Sequence, residues 1–197
     1  MPPQAFVFIG RSGSGKGTQA ELLMKALKAA PGGRDSLYIQ TGAELRNFIK
    51  GPTYTEKVAK KLYDTGALMA EFLTIDMWAR ALVDRYTGAE HLVFDGTPRK
   101  LHEAQVFMSI FEFYNLPKPW VIHIEVSKDE SIKRLMARRR QDDRREEIEK
   151  RLSWFETEVV PVLEYFDTRI NCNFLRIDGD RPAADIHADI VKRIGLA

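Results

Sequence analysis

The sequence predicts a doubly wound, three-layer α/β/α fold, in which a parallel sheet lies between two layers of helices. Short apolar, β-branched or aromatic runs alternate with amphipathic segments that are long enough for helices, as in a parallel α/β sheet. Several of these runs are almost continuously hydrophobic, as expected of strands that are buried on both faces. A glycine-rich loop follows the first run and opens directly into a helix-forming segment.

Five strands are predicted, and residues 1–197 are expected to form one domain around them. The strands are residues 5–9, 37–40, 91–94, 120–126 and 174–177. Residues 41–87 form the longest strand-free region and are predicted to hold three helices, more than a minimal crossover needs. That region is therefore a candidate substrate-binding insertion. Residues 142–169 are expected to form a structural helix that is kinked at Pro161.

Composition excludes several classes of function. Lys and Arg number 30 against 28 Asp and Glu, so the formal charge of +2 leaves no basic excess for general binding to nucleic acid or membranes. The single cysteine, Cys172, cannot form an intramolecular disulfide, which fits a reducing, cytoplasmic setting. We expect no signal peptide at the N-terminus, and no stretch reaches the length of a membrane span.

The glycine-rich loop, GRSGSGKGT at residues 10–18, has the features of a phosphate cradle. Glycines let the backbone N–H groups turn toward one anion, and the following helix adds the positive end of its dipole. Lys16 supplies a point charge for the outer phosphates of a nucleoside triphosphate. Gly17 stands where Ser or Thr usually follows the lysine, and Thr18 comes one position later. The alternative, a flexible turn beside an exposed lysine, is disfavoured because the loop joins a strand to a helix.

The third predicted strand ends at Asp95, where a carboxylate that organises Mg²⁺ is expected beside a phosphate loop. The alternative is an ordinary Asp-Gly turn. Arg99 follows at a helix start, where a positive charge is unfavourable for the helix itself. Its position is explained if an anion binds there.

These residues resemble the adenylate kinase-like nucleoside monophosphate kinases, which are P-loop kinases. The family loop GxxGxGKGTQ reads GRSGSGKGTQ at residues 10–19, and the family's TGDLLR resembles TGAELR at 41–46. The family's GxLVP resembles GALMA at 66–70, and its DGFPR resembles DGTPR at 95–99. An arginine-rich block followed by DD and KRL is similar to residues 138–152, and DGDRP at 178–182 is similar to the last nucleotide-contacting loop.

The resemblance implies a reversible transfer of the γ-phosphoryl group from Mg·ATP to a nucleoside monophosphate. AMP is the expected acceptor because it dominates the family, and two ADP would then form. The resemblance also implies a five-stranded parallel sheet, an acceptor-binding segment at about residues 41–70 and a very short lid at about 137–143. The expected enzyme is a cytoplasmic monomer of nucleotide biosynthesis that uses Mg²⁺ and ATP.

The implied site residues fall into four groups. Those for catalysis are Lys16, Arg99, Arg138, Arg140 and Arg151. Those for ATP are Gly13, Ser14, Gly15, Lys16, Gly17, Thr18, Arg138, Gly179 and Arg181. Those for the acceptor are Thr41, Gly42, Arg46, Ala67, Leu68, Met69, Gly96, Arg99, Glu103, Arg140 and Arg151. Those for Mg²⁺, directly or through water, are Thr18 and Asp95.

The arginines are expected to divide the phosphates between them. Arg46 and Arg99 would hold the acceptor phosphate, and Arg138 would face the triphosphate. Arg140 and Arg151 would close over the transferring group. Because only three residues separate Arg138 from the following Asp pair, Arg139 could equally take either of the two lid roles.

Base recognition is where the sequence departs from the family pattern. A glutamine four residues after the DGFPR arginine reads adenine in adenylate kinases, and here that position is Glu103. A carboxylate only accepts hydrogen bonds, so guanine's two-donor edge would suit it better than adenine's N1 lone pair. GMP, UMP and CMP therefore remain alternatives. Gln105 points about 200° away around the helix.

Three further alternatives stay open. Glu103 would be a surface residue if backbone groups near Met69 hold the base. The same scaffold would suit a kinase of another hydroxylated acceptor, or a nucleotide-binding sensor without turnover. Elsewhere Trp78, Trp154 and His123 are expected to serve packing.

Overall fold

The computed structural model describes residues 1–138 and 145–196, apart from the side chains of Arg138 and Glu146. Within this part of the chain five strands form one sheet, and every neighbouring pair is parallel. They are β1 (Ala5–Ile9), β2 (Ser36–Gln40), β3 (His91–Asp95), β4 (Trp120–Glu125) and β5 (Asn173–Asp178). The predicted fold is confirmed, and the predicted strands differ from the observed ones by at most one residue at an end.

Helices cover both faces of the sheet. The first five are α1 (Lys16–Ala29), α2 (Thr41–Phe48), α3 (Tyr54–Tyr63), α4 (Glu71–Arg85) and α5 (Leu101–Phe113). The others in the described ranges are α6 (Lys128–Arg138), α7 (Arg145–Trp154), α8 (Val160–Asp167) and α9 (Ala183–Arg193). Residues 1–138 and 145–196 contain no helix that combines the length and the apolar character needed to cross a membrane.

The strand order β2-β3-β1-β4-β5 places the first strand at the centre of the sheet. The chain leaves β1 toward one edge of the sheet and later returns to build the other edge. Ligands of open α/β sheets bind at such a point of reversal, beyond the carboxyl ends of the strands. Phe8 of β1 lies in register with Asp95 of β3, so the segments that follow these two strands emerge side by side.

Two apolar layers enclose the sheet, and alternate side chains of β1 enter each. Val7 packs into the layer that α4, α5 and α8 share, whereas Phe6 and Phe8 pack against α1 and α9. All five β1 side chains are at most 3% exposed. This burial on both faces explains why the strand is a continuous hydrophobic run in the sequence.

The three helices predicted between residues 41 and 87 are α2, α3 and α4. They enclose a small apolar cluster of their own, with Ala59, Met69 and Leu73 at its centre. A capping box begins α3, because Thr53 Oγ1 accepts from the Glu56 N–H and the Glu56 carboxylate accepts from the Thr53 N–H.

The helix predicted with a kink at Pro161 is interrupted before the proline, not at it. A π-helical turn, Phe155–Val159, joins α7 to α8, and the Val160 N–H donates to the Phe155 carbonyl five residues earlier. Pro161 lies in the first turn of α8, where its missing N–H costs no helical hydrogen bond. Widened turns of this kind are frequent at functional sites, and this one begins directly after Trp154, which lines the smaller cavity described below.

Candidate active site

A cleft of about 470 Å³ opens beyond the carboxyl ends of β1 and β3. The glycine-rich loop forms one wall, and cationic side chains from four helices or turns form much of the rest. The lining residues are Ser12, Gly13, Gly15, Lys16, Gly17, Thr18, Glu21, Gln40, Gly42, Leu45, Arg46, Tyr63, Asp95, Gly96, Arg99, Arg134 and Arg151. A cavity of about 70 Å³ adjoins this cleft and shares Gly42, Arg99 and Arg151 with it.

The glycine-rich loop takes its shape from positions where only glycine fits. Gly13 has a φ of +86°, and a Cβ there would lie 2.9 Å from the Ser131 carbonyl oxygen of α6. The loop ends where α1 begins, at Lys16, so the N-terminus of a 14-residue helix opens onto the cleft. That end of the helix favours a bound anion.

Lys16 lies back across the loop it terminates. Its Nζ donates to the carbonyl oxygens of Gly10 at 2.9 Å and Arg11 at 2.8 Å. The same nitrogen is 3.5 Å from the Ser14 hydroxyl oxygen, which is fully buried. The ammonium group is thus held at the mouth of the loop, where it borders the cleft.

Asp95 is held by two neighbours on β2. Its Oδ2 accepts from the Tyr38 hydroxyl at 2.9 Å and from the Gln40 amide at 3.0 Å. Burial raises the pKa of Tyr38, and the charge of Asp95 raises it further, so the hydroxyl remains a donor. Among the described residues no group donates to Asp95 Oδ1, and the aspartate borders the cleft.

Gly17 explains the displaced threonine of the loop. A Cβ at this position would lie 3.4 Å from Asp95 Oδ2 and 3.5 Å from the Gln40 amide nitrogen. A larger side chain would therefore fill the space between α1 and the carboxylate. Thr18 is exposed and lines the same cleft.

The smaller cavity gathers the residues predicted to bind the acceptor. Thr41, Ala67, Leu68 and Met69 line it together with Glu103. The Thr41 hydroxyl is buried and has no hydrogen-bond partner among the described residues. A buried hydroxyl normally has a partner, so a ligand of this cavity could supply the missing one.

Arg99 is fixed at both ends. Its backbone N–H donates to Glu103 Oε2 at 2.7 Å, and its Nε donates to the Gly96 carbonyl at 2.6 Å. The guanidinium also lies over the Trp154 ring, with Cζ 5.4 Å from the ring centroid. No hydrogen bond to a described residue uses the two terminal nitrogens, which are the pair that grips a phosphate.

The electrostatics of Arg99 show that positive charges converge here. Burial lowers the pKa of the Arg99 guanidinium, and the carboxylates of Glu103 and Asp95 oppose that effect. The nearby charges of Arg151 and Arg46 lower the same pKa further. Three arginines from α2, α7 and the turn after β3 therefore lie close enough to repel one another, an arrangement that a bound anion would stabilise.

Glu103 is buried, so the alternative that it is a surface residue is wrong. It is 2% exposed, and its carboxylate accepts from the Trp78 indole N–H at 3.2 Å, the Thr97 hydroxyl and the Arg99 N–H. Gln105 is exposed, as expected from its position on the other side of α5. Trp78 therefore makes a polar contact in addition to packing against Phe107.

Trp154 and Arg134 are site residues that the sequence reasoning did not identify. The Trp154 indole N–H donates to the Gly66 carbonyl at 3.1 Å and its ring lines the smaller cavity, although the tryptophan was expected only to pack. Arg134 lines the large cleft and donates to Glu130 at 2.8 Å and to the Gly179 carbonyl at 2.9 Å. Arg134 lies one helical turn before Arg138, a predicted triphosphate residue. Because residues four apart share a helix face, this spacing could have indicated that Arg134 also belongs to the site.

Arg11 attaches the glycine-rich loop to the π-helical turn. Its guanidinium donates to the Val126 carbonyl at 3.2 Å and pairs with Glu156. It also lies 4.6 Å from the centroid of the Phe155 ring. Nothing in the local sequence of the loop indicated this contact.

Some predicted ATP residues do not border the cleft. Arg181 donates to the Asp178 carbonyl at 3.1 Å and to Asp189 at 2.8 Å, and the Asp189 hydrogen bond raises the pKa of Arg181. Gly179 does not line the cleft, but its carbonyl accepts from Arg134, which does. Arg140 and its rival Arg139, with most of the predicted lid, lie outside the described residues, as does the side chain of Arg138.

Comparison with known proteins identifies the family. The family model described as "Adenylate kinase" matches residues 8–171. A relative in Corynebacterium urealyticum named "Adenylate kinase" is 32% identical over 180 residues, which cover 91% of this chain and 93% of the relative. Relatives of the same name are 34% identical in Parabacteroides distasonis, covering 81% and 82% of the two chains, and 31% identical in Azobacteroides pseudotrichonymphae, covering 94% of both. The chain belongs to the adenylate kinase family.

Proposed function

We propose that this protein transfers the γ-phosphoryl group of ATP reversibly to AMP, forming two molecules of ADP. One observation carries the proposal: a single cleft is lined both by the glycine-rich loop with Lys16 and by the arginines Arg46, Arg99 and Arg151. A donor triphosphate and an acceptor phosphate could therefore bind in the same cleft. The names of the relatives described above support ATP and AMP as the substrates.

The proposed reaction is an in-line displacement. A phosphate oxygen of AMP bonds to the γ-phosphorus while the bond from that phosphorus to the β–γ bridging oxygen breaks, and ADP leaves. The protein supplies no nucleophile of its own, so its work is to align the two nucleotides and stabilise the negative charge on the moving group. Lys16 and the arginines supply the positive charge that this requires.

On the donor side, the loop backbone from Gly13 to Thr18 would bind the triphosphate, with Lys16 on its outer phosphates. Arg134 joins this proposal because it borders the same cleft. Arg138, Gly179 and Arg181 remain predicted donor residues.

On the acceptor side, the phosphate of AMP would lie between Arg46 and Arg99, and Arg151 would close over the transferring group. Residues 41–70 would act as the acceptor-binding segment. The unpartnered Thr41 hydroxyl and the cavity lining support this assignment. The acceptor residues in addition to the arginines are Thr41, Gly42, Ala67, Leu68, Met69 and Gly96.

Asp95 and Thr18 are the residues that would hold Mg²⁺. Among the described residues no cluster of three or more His, Cys, Asp or Glu side chains could form an all-protein metal cage. A single carboxylate with an uncommitted oxygen, in a cleft that a threonine also lines, fits an ion that retains several waters. Bound Mg²⁺ would neutralise charge on the triphosphate.

The remaining parts of the proposal concern the whole chain. We propose that residues 1–197 act as one domain, with a very short lid at about 137–143, and that the enzyme is a cytoplasmic monomer of nucleotide biosynthesis that does not bind nucleic acid. A free cysteine fits a reducing compartment, and burial raises the pKa of the Cys172 thiol to about 11, which keeps this thiol unreactive.

The alternative acceptors are not favoured. GMP would be favoured only if the Glu103 carboxylate were free to accept hydrogen bonds from guanine. Three donors of the protein already use that carboxylate. UMP and CMP have no observation in their favour.

A coupled assay of ADP formation tests the proposal. ATP and Mg²⁺ are supplied with AMP, GMP, UMP or CMP in turn, and AMP is expected to give by far the highest kcat/KM. The absence of ADP formation with AMP would contradict the proposed function. Preferred turnover of another monophosphate would retain the phosphotransferase and replace its acceptor.

A further inference from the structure

Glu103 is a buried carboxylate whose partners all belong to the protein. A carboxylate offers about four lone-pair positions, and three are filled here. Oε1 accepts from the Trp78 indole N–H at 3.2 Å and from the Thr97 hydroxyl, and Oε2 accepts from the Arg99 N–H at 2.7 Å. Glu103 is 2% exposed and Thr97 is fully buried, so both side chains are almost completely shielded from bulk solvent.

These three bonds join separate parts of the fold. Trp78 lies on α4, Thr97 and Arg99 belong to the turn after β3, and Glu103 is in the first turn of α5. An ionised acceptor shortens and strengthens its hydrogen bonds, so one carboxylate holds the turn against two helices. Removing any donor would leave a buried oxygen with one partner fewer.

The segment held in this way is the one that carries the Arg99 guanidinium. Glu103 fixes the backbone of Arg99, while the Gly96 carbonyl and the Trp154 ring fix its side chain. Arg99 borders both the large cleft and the smaller cavity, and no hydrogen bond to a described residue uses its terminal nitrogens. A rotation of the turn would move these nitrogens away from a phosphate, because a bidentate grip requires close alignment.

We propose that Glu103 is a positioning residue for Arg99, acting through Thr97 and the Arg99 backbone, and not a reader of the acceptor base. This inference rests on the proposed function, since the phosphate that Arg99 would grip is that of the acceptor. The base then contacts the other residues of the smaller cavity, including Leu68 and Met69.

Thr97 provides the sharpest test, because it contacts Glu103 but does not line the smaller cavity. Thr97→Val removes the hydroxyl and retains the branched shape. We expect the KM for AMP to rise about tenfold while the KM for ATP stays within about twofold. Thr97→Ser retains the hydroxyl and is the matched control, so its KM for AMP should remain near that of the wild type.

Glu103→Gln separates positioning from base reading. If Glu103 positions Arg99, the kcat/KM values for AMP and GMP should fall by the same factor, leaving their ratio within about twofold of the wild-type value. If it reads the base, that ratio should change and Thr97→Val should leave the KM for AMP unaltered. The latter pair of results would overturn the inference.

A double-mutant cycle on AMP binding tests whether the effect passes through Arg99. Thr97→Val should weaken AMP binding in the wild-type background and have no further effect in an Arg99→Ala background. Calorimetric titration with AMP measures this without turnover, and Trp78→Phe is an alternative probe if Thr97→Val fails to fold. Full additivity, or a lower melting temperature with unchanged AMP affinity, would contradict the inference. Failure of the wild type to form ADP would instead count against the proposed function.

Discussion

The glycine-rich loop after β1 and the turn after β3 lie side by side at the same edge of the sheet, but their conformations have different origins. Lys16 bonds to carbonyls five and six residues away, and the left-handed glycines of the loop are local features of the chain. Around the turn, Glu103 and Arg99 also bond locally, to Thr97 and Gly96, but Trp78 reaches Glu103 from 25 residues away and Trp154 binds Gly66, which is 88 residues away. The conformation of the loop thus depends mainly on neighbours in sequence, whereas the acceptor half also depends on contacts that only folding brings together.

The two halves of the cleft should therefore respond differently to mutation. The loop should tolerate substitutions in distant parts of the fold. The donor half should therefore lose function only when its own residues are changed. The acceptor half should respond to substitutions that never touch the nucleotide, as proposed for Thr97. Arg11 is the exception on the donor side, because it ties the loop to Glu156 and Phe155.

The largest expected effect is on the donor side. Lys16→Met removes a charge that would face the transferring group, so kcat should fall about 10³-fold, a typical loss for one electrostatic contact to a transition state. The KM for AMP should change by less than about threefold. Steady-state kinetics with both substrates measure these values. Lys25→Met is the control, because Lys25 is exposed on the same helix and does not line the cleft; a kcat within about tenfold of wild type for Lys16→Met would contradict this role.

The second-largest expected effect is weaker binding of the acceptor in Arg99→Ala. Arg99→Ala removes two available guanidinium nitrogens, so the KM for AMP should rise about 10²-fold while the KM for ATP stays within about twofold. Titration with each nucleotide separates the two sites. Arg145→Ala is the matched control, since Arg145 is exposed and, among the described residues, pairs with Glu149 on the surface of α7. Weakened binding of ATP in Arg99→Ala would show that the two halves are not separable.

The smallest expected effect is a pH dependence of stability that arises from His123, on the strand β4 next to β1. Burial lowers the pKa of His123 to about 4, and the charges of Arg176, Arg11 and Lys16 lower it further. The histidine of the unfolded chain takes up its proton first, with a pKa of about 6.5, so stability falls as the pH drops through that value toward 4. From pH 7 to pH 5 this amounts to a loss of about 2 kcal/mol of unfolding free energy.

Denaturant unfolding of the wild type and His123→Asn at the two pH values measures the contribution of His123. The variant should lose less stability than the wild type over this range, because carboxylates and other groups titrate in both proteins but the histidine only in one. Equal losses in the two proteins would mean that the proton on His123 does not affect folding. His123 lies in register with Ile9, the last residue before the loop, so the measurement reports on the support of the donor half.

The fold and the donor half were largely predictable from sequence. The five strands appear as hydrophobic runs because both faces of the sheet are buried, and the loop appears as glycines because its backbone has a positive φ at Gly13 and Gly15. The sequence also identified Arg46, Arg99 and Arg151 as candidates, and the structure brings all three to one cleft. Their assigned roles remain predictions.

The environment of Glu103 was not predictable in the same way. The sequence shows an ionisable residue in the first turn of a helix, a position typical of a solvated or ligand-binding carboxylate. It does not show that Trp78 from α4 and Thr97 from the preceding turn would surround it. Trp154 was likewise expected to pack because a tryptophan without its partners reads as a hydrophobic residue.

The sequence by itself determined the alternation of strands and helices, the phosphate loop with Lys16, and the family to which the chain is similar. These follow from periodicity and from residues that act within a few positions of one another. Only the tertiary structure decided that the Glu103 carboxylate accepts from Trp78, that the Arg99 guanidinium lies over Trp154, and that Arg134 borders the cleft. The physical reason is that a hydrogen bond between residues far apart in the chain leaves no local pattern, since each partner is selected by a position that exists only after folding.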